Sequence, residues 1–164
     1  MKPAVCKSLG LWALLITASA SAGAGDDLLP VQVEPADDLH ADGQAAQRMC
    51  VPLLLEFSSL SCSYCDLLEE EILKPILRNR SYDQRVRMRK VRLDSYRTLK
   101  DFDGRRTNGE KLAKRYRVFV TPTLLFVDRR GRELAERMVG VTTLELYGGY
   151  LDQALDQAGD KLCP

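Results

Sequence analysis

Two cysteines three residues apart, Cys62 and Cys65, follow closely on the apolar run Pro52 to Ser58 (PLLLEFS). That junction restricts the fold more than any other feature of the chain. So short a run, charged only at Glu56 and carrying an aromatic, reads as a buried strand. Leu60 and Ser61 make the turn, Ser61 serves as N-cap, and a helix is predicted from about Cys62 to Asn79. Leu68, Ile72 and Ile76 recur at i, i+4 and i+8, with Leu73 and Leu77 beside them. Asp66, Glu69, Glu70 and Glu71 fall in the early part, where the helix dipole favours negative charge. Pro75 stands inside the pattern and should kink or split the helix.

Cysteines with this spacing at a helix start share one face and lie close enough to bridge. The first sits among unpaired backbone N–H groups at the positive end of the dipole, which stabilise a thiolate. The second, one turn deeper, is placed to attack a mixed disulfide on the first. A CxxC alone also occurs in metal sites and static bridges. The preceding strand, the following helix and the signs of export favour exchange.

Those signs lie at the start of the chain. Lys2 and Lys7 precede the mostly apolar run Leu9 to Ala18 (LGLWALLITA), and the small residues SASAGAG follow. This is the layout of a cleavable signal peptide, assigned to 1–22, with a loose lead-in over 23–35 and a single domain over 36–164. The alternative is an uncleaved anchor, for which the apolar run is short against the roughly 20 residues a span needs. Export, most simply to a periplasm, places the remaining cysteines where disulfides persist. Cys6 leaves with the signal, and Cys50, Cys62, Cys65 and Cys163 can pair in three ways. His40 is the only histidine, so a zinc site is poorly supplied, and neither metal nor cofactor is expected. The net charge of +1 gives no reason to expect nucleic acid as a partner.

Ala36 to Met49 reads as a short helix. A strand is predicted around Val86 to Asp94, with a bulge allowed where its alternation slips between Met88 and Val91. Ser95 to Asn108 reads as a loop with partial helical content, and Glu110 to Tyr116 as a short helix. Thr123 to Val127 (TLLFV) is a second apolar strand, Asp128 to Gly131 a turn, and Arg132 to Val139 a strand with mixed faces. Thr142 or Thr143 caps a last helix to about Ala158, with Leu144, Tyr147, Leu151 and Leu155 on one face.

The segments LLLEFSSLSCSYC, YRVFVTPTLLFVD and GRELAERMVGV resemble the thioredoxin superfamily over roughly residues 50–158. Within it, the chain looks most like the periplasmic single-domain thioredoxins of the SoxW and thioredoxin-like 2 kind. The resemblance implies an α/β thioredoxin-like fold, a central mixed β-sheet flanked by helices, and thiol–disulfide oxidoreductase activity. Cys62 would attack and Cys65 resolve. By the same resemblance Pro122, in Thr121-Pro122-Thr123, is cis, and Thr121, Pro122, Ser63 and Tyr64 border the substrate; the alternative for Pro122 is an ordinary strand-start proline. Glu56 stands six residues before Cys62, where the family carries a buried acid. Burying a carboxyl between Leu55 and Phe57 should raise its pKa and suit it to proton exchange with Cys65; the alternative is a carboxylate reaching solvent at a strand edge. The last helix of such a fold returns toward the Cys50 end of the central strand, which implies a Cys50–Cys163 bridge; the alternative is two unpaired thiols.

The chain also departs from the family. Ser61 stands where a tryptophan is common, Asp66 where a basic residue is common, and no histidine lies inside the CxxC. Asp66, with Glu69 nearby, opposes the Cys62 thiolate and favours a more reducing couple, while Tyr64 pulls the other way by resemblance to isomerases and glutaredoxins. The expectation is reduction or isomerisation of disulfides in exported proteins, with a membrane thiol reductase of the DsbD class supplying electrons. The competing reading is a non-enzymatic binding module whose Cys62–Cys65 pair is a static bridge or a soft-metal site.

Overall fold

The central strand, β1 (Leu53–Ser58), is buried at every position because helices cover both faces of the sheet around it. The computed structural model describes residues 31–162. Its main sheet has the order β2-β1-β5-β6, with β2 (Arg87–Arg92) parallel to β1, β5 (Thr123–Val127) antiparallel to β1, and β6 (Met138–Val139) antiparallel to β5. The result is the expected α/β architecture, a mixed sheet flanked by helices.

Alternation along β1 divides the core. Leu53, Leu55 and Phe57 pack with α1 (Leu39–Arg48) and α4 (Gly109–Tyr116) through Leu39, Ala46, Leu112 and Ala113. Leu54 faces the other way, into a cluster with Leu68, Leu73, Tyr147 and Leu151. The latter residues come from α2 (Ser63–Leu68), the turn after it, and α5 (Leu144–Asp160). Two buried faces also explain β2. Its register with β1 runs unbroken from Leu53↔Arg87 to Ser58↔Arg92, so there is no bulge. Met88 enters one cluster and Val91 the other, and a strand with one apolar residue per face mimics a slipped alternation.

The long helix after the cysteines is continuous but not uniform. Between α2 and α3 (Lys74–Arg78) a π turn spans Glu69–Leu73, just before Pro75. Proline lacks the N–H that an α-helix would use there and its ring crowds the carbonyl of residue 71; the wide turn accommodates both. It also changes which residues face inward. Leu68 and Leu73, five apart, are both fully buried, while Ile72 only packs at the edge of the cluster.

Three other readings need correction. The polar stretch after residue 95 contains a hairpin, β3 (Thr98–Lys100) with β4 (Arg106–Asn108), rather than helical content. Asp101 organises its turn by accepting from the amides of Asp103 (3.0 Å) and Arg105 (2.9 Å) and from Arg115. The Arg132–Val139 segment pairs at Glu133 and again only at β6, because consecutive Leu134 and Ala135 both turn into the core and break alternation. The helix N-cap at the cysteines is Cys62 itself, not Ser61.

At its start the described chain is docked, not loose. Val33 is buried, and Glu34 and Ala36 exchange backbone hydrogen bonds with Lys90 on β2. No described helix is long and apolar enough to cross a membrane. The expected export segment and Cys163 lie outside the described residues.

Candidate active site

β1 ends at Ser58, and the chain turns through Ser59 and Leu60 into the cysteines. The loop is pinned twice: Leu93 N–H donates to the Ser58 carbonyl (2.9 Å) and Leu60 N–H to Asp94 Oδ2 (2.5 Å). Cys62 caps α2, its Sγ accepting from the Cys65 amide at 3.1 Å. Cys62 and Cys65 form a disulfide, with Cα atoms 5.2 Å apart. The two sulfurs differ in access: Cys62 is half-buried, Cys65 only 2 % exposed. This is the asymmetry that an attacking and a resolving thiol require. Ser63 and Tyr64 are exposed beside them.

The Thr121–Pro122 peptide is cis. The Thr121 and Ser59 hydroxyls lie 3.2 Å apart, joining the proline loop to the cysteine loop across 62 residues of sequence. Gly140 N–H donates to the Pro122 carbonyl (2.8 Å), which ties the loop to β6. Around this mouth Tyr64, Phe119 and Val120 are exposed. On the Leu60 side lies a groove of about 760 Å³ whose walls include Val33, Arg92, Tyr96 and Arg97.

Glu56 is 0 % exposed, and neither carboxylate oxygen has a hydrogen-bond partner among the described residues. Its place in β1 puts it on the face of Leu54, toward the cysteine-bearing helix and α5. Burial pushes its pKa up to about 7. Lys90 and Arg92 pull it back, and Glu69 and Asp66 push it further up. Lys90 stands opposite Glu56 in the β1–β2 register, yet its ammonium donates to Glu69 Oε2, while Glu69 Oε1 accepts from Val33 N–H. The lysine opposite Glu56 is thus engaged by a second acid, and Glu56 keeps a pKa close to neutrality. The strand-edge alternative for this carboxylate does not hold.

The structure therefore gathers Cys62, Cys65, Thr121 and Pro122 at one rim and sets Glu56 in the core on the dithiol side of the sheet. Cys50 lies elsewhere, in the turn between α1 and β1 at the opposite end of the strand, with φ of 55°. His40 Nδ1–H donates to the Phe102 carbonyl (2.8 Å), outside the region of the cysteines in the sequence. From sequence Glu69 was read as an acid near the dithiol, but its pairing with Lys90 and the place of Tyr147 were not seen. A run of three glutamates looks like a solvated helix face, and a tyrosine at helical spacing looks like core.

A half-exposed and a buried cysteine at a strand-to-helix junction, a cis-proline loop bonded to that junction and a buried acid behind it define a thiol–disulfide oxidoreductase of the thioredoxin fold. Comparison with known proteins agrees. The family model described as a thioredoxin-like domain matches residues 40–155, and the chain belongs to that family. No curated protein matches it. Among solved structures it is similar to the Trxlp protein of Edwardsiella tarda EIB202 (24 % identity, 73 % of this chain and 97 % of that one, TM-score 0.53). It is also similar to the germline-specific thioredoxin Deadhead of Drosophila melanogaster (17 % identity, 74 % and 98 %, TM-score 0.52) and the thioredoxin NaTrxh of Nicotiana alata (17 % identity, 77 % and 98 %, TM-score 0.50). At these identities the likeness concerns the fold.

Proposed function

We propose that this chain is an exported, most simply periplasmic, reductase or isomerase of protein disulfides, working through Cys62 and Cys65. The observation that carries the reading is the unequal burial of the two sulfurs, with a near-neutral acid buried on the same side of the sheet. In the dithiol form, the Cys62 thiolate attacks one sulfur of a client disulfide, and the other client sulfur leaves as thiolate. Glu56 takes the Cys65 proton, and the Cys65 sulfur attacks Cys62 Sγ. The client departs as a dithiol carrying two electrons, and the protein is left with the Cys62–Cys65 bridge seen here. Thr121 and Pro122 position the client backbone, with Ser63 and Tyr64 beside it.

Turnover then needs an electron source, for which a membrane thiol reductase of the DsbD class suits an exported dithiol. Asp66, exposed on the first turn of α2, supports the reducing direction by opposing the Cys62 thiolate. A Cys50–Cys163 bridge would tie the C-terminus to the α1–β1 turn. In support, Gln47 near the end of α1 and Leu162 just after α5 line one cavity.

Insulin reduction in the presence of dithiothreitol tests the reading. Cys62→Ser should abolish catalysis above the uncatalysed rate, and Cys65→Ser should trap clients as mixed disulfides on Cys62. Wild-type activity equal to that of Cys62→Ser would leave a static bridge and end the proposal.

A further inference from the structure

Residues 97–117, which include β3, β4 and α4, carry eight cationic side chains against three acidic ones, a net +5, while the whole chain is only +1. This stretch is a basic island in an otherwise net-negative chain. Three of the eight cations are engaged: Arg97 with Asp37 (3.0 Å), Lys100 with Asp38 (2.8 Å) and Arg115 with Asp101 (3.0 Å). The other five, Arg105, Arg106, Lys111, Lys114 and Arg117, are exposed and enter no ion pair among the described residues. The neighbouring acids Asp103 and Glu110 do not pair with them.

The folding of the segment brings these cations together. Leu112, Ala113 and Tyr116 turn α4 inward, which leaves Lys111 and Lys114, one turn apart, on its outer side. Leu99 and Thr107 are the buried positions of the hairpin, so Arg106, one step along β4, lies on its outer face. Arg115 reaches Asp101, whose carboxylate also holds the Arg105 amide, and this sets the last turn of α4 beside the hairpin turn.

Stability does not call for this arrangement. The helix dipole favours Lys114 and Arg117 at the end of α4, but Lys111 stands in its first turn and Arg106 just ahead of it, where cations are disfavoured. Arg106 also stands directly across the hairpin from Lys100, a like-charge pair. Such a surface suits an anionic partner, and its position selects which one. Gly109, at the start of α4, lies against Arg92, and Arg92 stands opposite Ser58, where β1 ends at the cysteine loop. Beyond α4, Arg117 leads through exposed Phe119 and Val120 to the cis Thr121–Pro122 peptide. The basic stretch thus adjoins both loops of the dithiol site.

We propose that the outer surface of β4 and α4 docks client proteins through an acidic segment close to the disulfide that is to be reduced. The substrate class is then disulfide proteins with aspartate- or glutamate-rich flanks. The inference rests on the reading of the chain as a disulfide reductase and adds a selectivity to it. The attraction acts on encounter: it raises the rate at which acidic clients meet Cys62, and salt weakens it.

The test uses two peptides that share one intrachain disulfide and differ only in flanking glutamates or glutamines. The pre-reduced protein should reduce the glutamate peptide roughly tenfold faster at about 20 mM salt, and the difference should shrink to within about twofold at about 0.5 M. The triple variant Arg106→Gln, Lys111→Gln, Lys114→Gln should lose most of this preference and reduce the glutamine peptide at the wild-type rate. A control triple, Arg48→Gln, Arg80→Gln, Arg130→Gln, removes the same charge near the strand ends away from the cysteines and should keep the preference. No preference in wild type, or equal loss in the two triples, overturns the proposal. Sedimentation with phosphatidylglycerol vesicles that depends on Arg106, Lys111 and Lys114, without a peptide preference, would make this a membrane face and overturn it too. Binding of a linear glutamate-rich peptide, followed by fluorescence anisotropy, needs no turnover and should weaken roughly tenfold in the first triple only. Equal binding by all three proteins overturns the docking surface alone, whereas binding differences without reduction of either peptide overturn the reductase reading and the client with it.

Discussion

Replacing Glu56 with glutamine should change how stability depends on pH, and the size of the change follows from burial. In the unfolded chain Glu56 titrates at its ordinary 4.5, and in the folded protein at about 7. The folded state therefore holds the proton more tightly. The associated stability is fully present below pH 4.5 and is lost as pH rises through the window from 4.5 to about 7. At 1.36 kcal/mol per pH unit the whole effect is about 3 kcal/mol, of which about 2.5 kcal/mol is expressed between pH 5 and pH 8. Glutamine does not titrate. Wild type should lose about 2.5 kcal/mol more than Glu56→Gln between these two pH values, as read from urea unfolding of the oxidised proteins. Every other titrating group is common to both proteins, so the difference isolates Glu56. Parallel pH dependences would refute the reasoning and would mean that Glu56 is solvated or paired in the folded state.

Two further perturbations examine the framework. A methyl group at Gly109 would lie 1.9 Å from the Arg92 carbonyl oxygen, where α4 starts against the end of β2. Gly109→Ala should therefore cost about 1–3 kcal/mol and lower the melting temperature, and an unchanged value would contradict this close approach. Asp66→Lys should lower the Cys62 thiol pKa and make the couple more oxidising by roughly 10–30 mV, less at high salt. A more reducing couple would refute the role given to that acid.

The parts of the fold that were legible in the sequence are those whose burial is one-sided or complete. PLLLEFS and TLLFV are short runs dominated by large apolar residues, and both became strands within a residue of the reading. The dithiol and the cis proline were legible because each depends on a short local pattern. β2 was harder, since a strand buried on both faces but rich in arginine looks irregular. The hairpin of β3 and β4 was hidden because only Leu99 and Thr107 are buried in it, while Asp101 and its turn do the organising. At the site, Glu56 was visible as an acid inside an apolar run. Its surroundings were not: Lys90, Glu69 and Tyr147 come from β2, the π turn and α5 and meet only through tertiary packing.

The wide turn at Glu69–Leu73 has a mechanical consequence. In an ideal α-helix, residues five apart point roughly 140° away from each other. Here Leu68 and Leu73 share one core because the helix takes in an extra residue without completing an extra turn. The segment behaves as a phase adjuster, letting the reactive end and the anchored end of one helix be aimed separately. Removing a single residue there would force a choice. Either Ile76 rotates away from its packing or Cys65 rotates away from its own. Chain length through this turn, more than its run of glutamates, keeps the dithiol in step with the core.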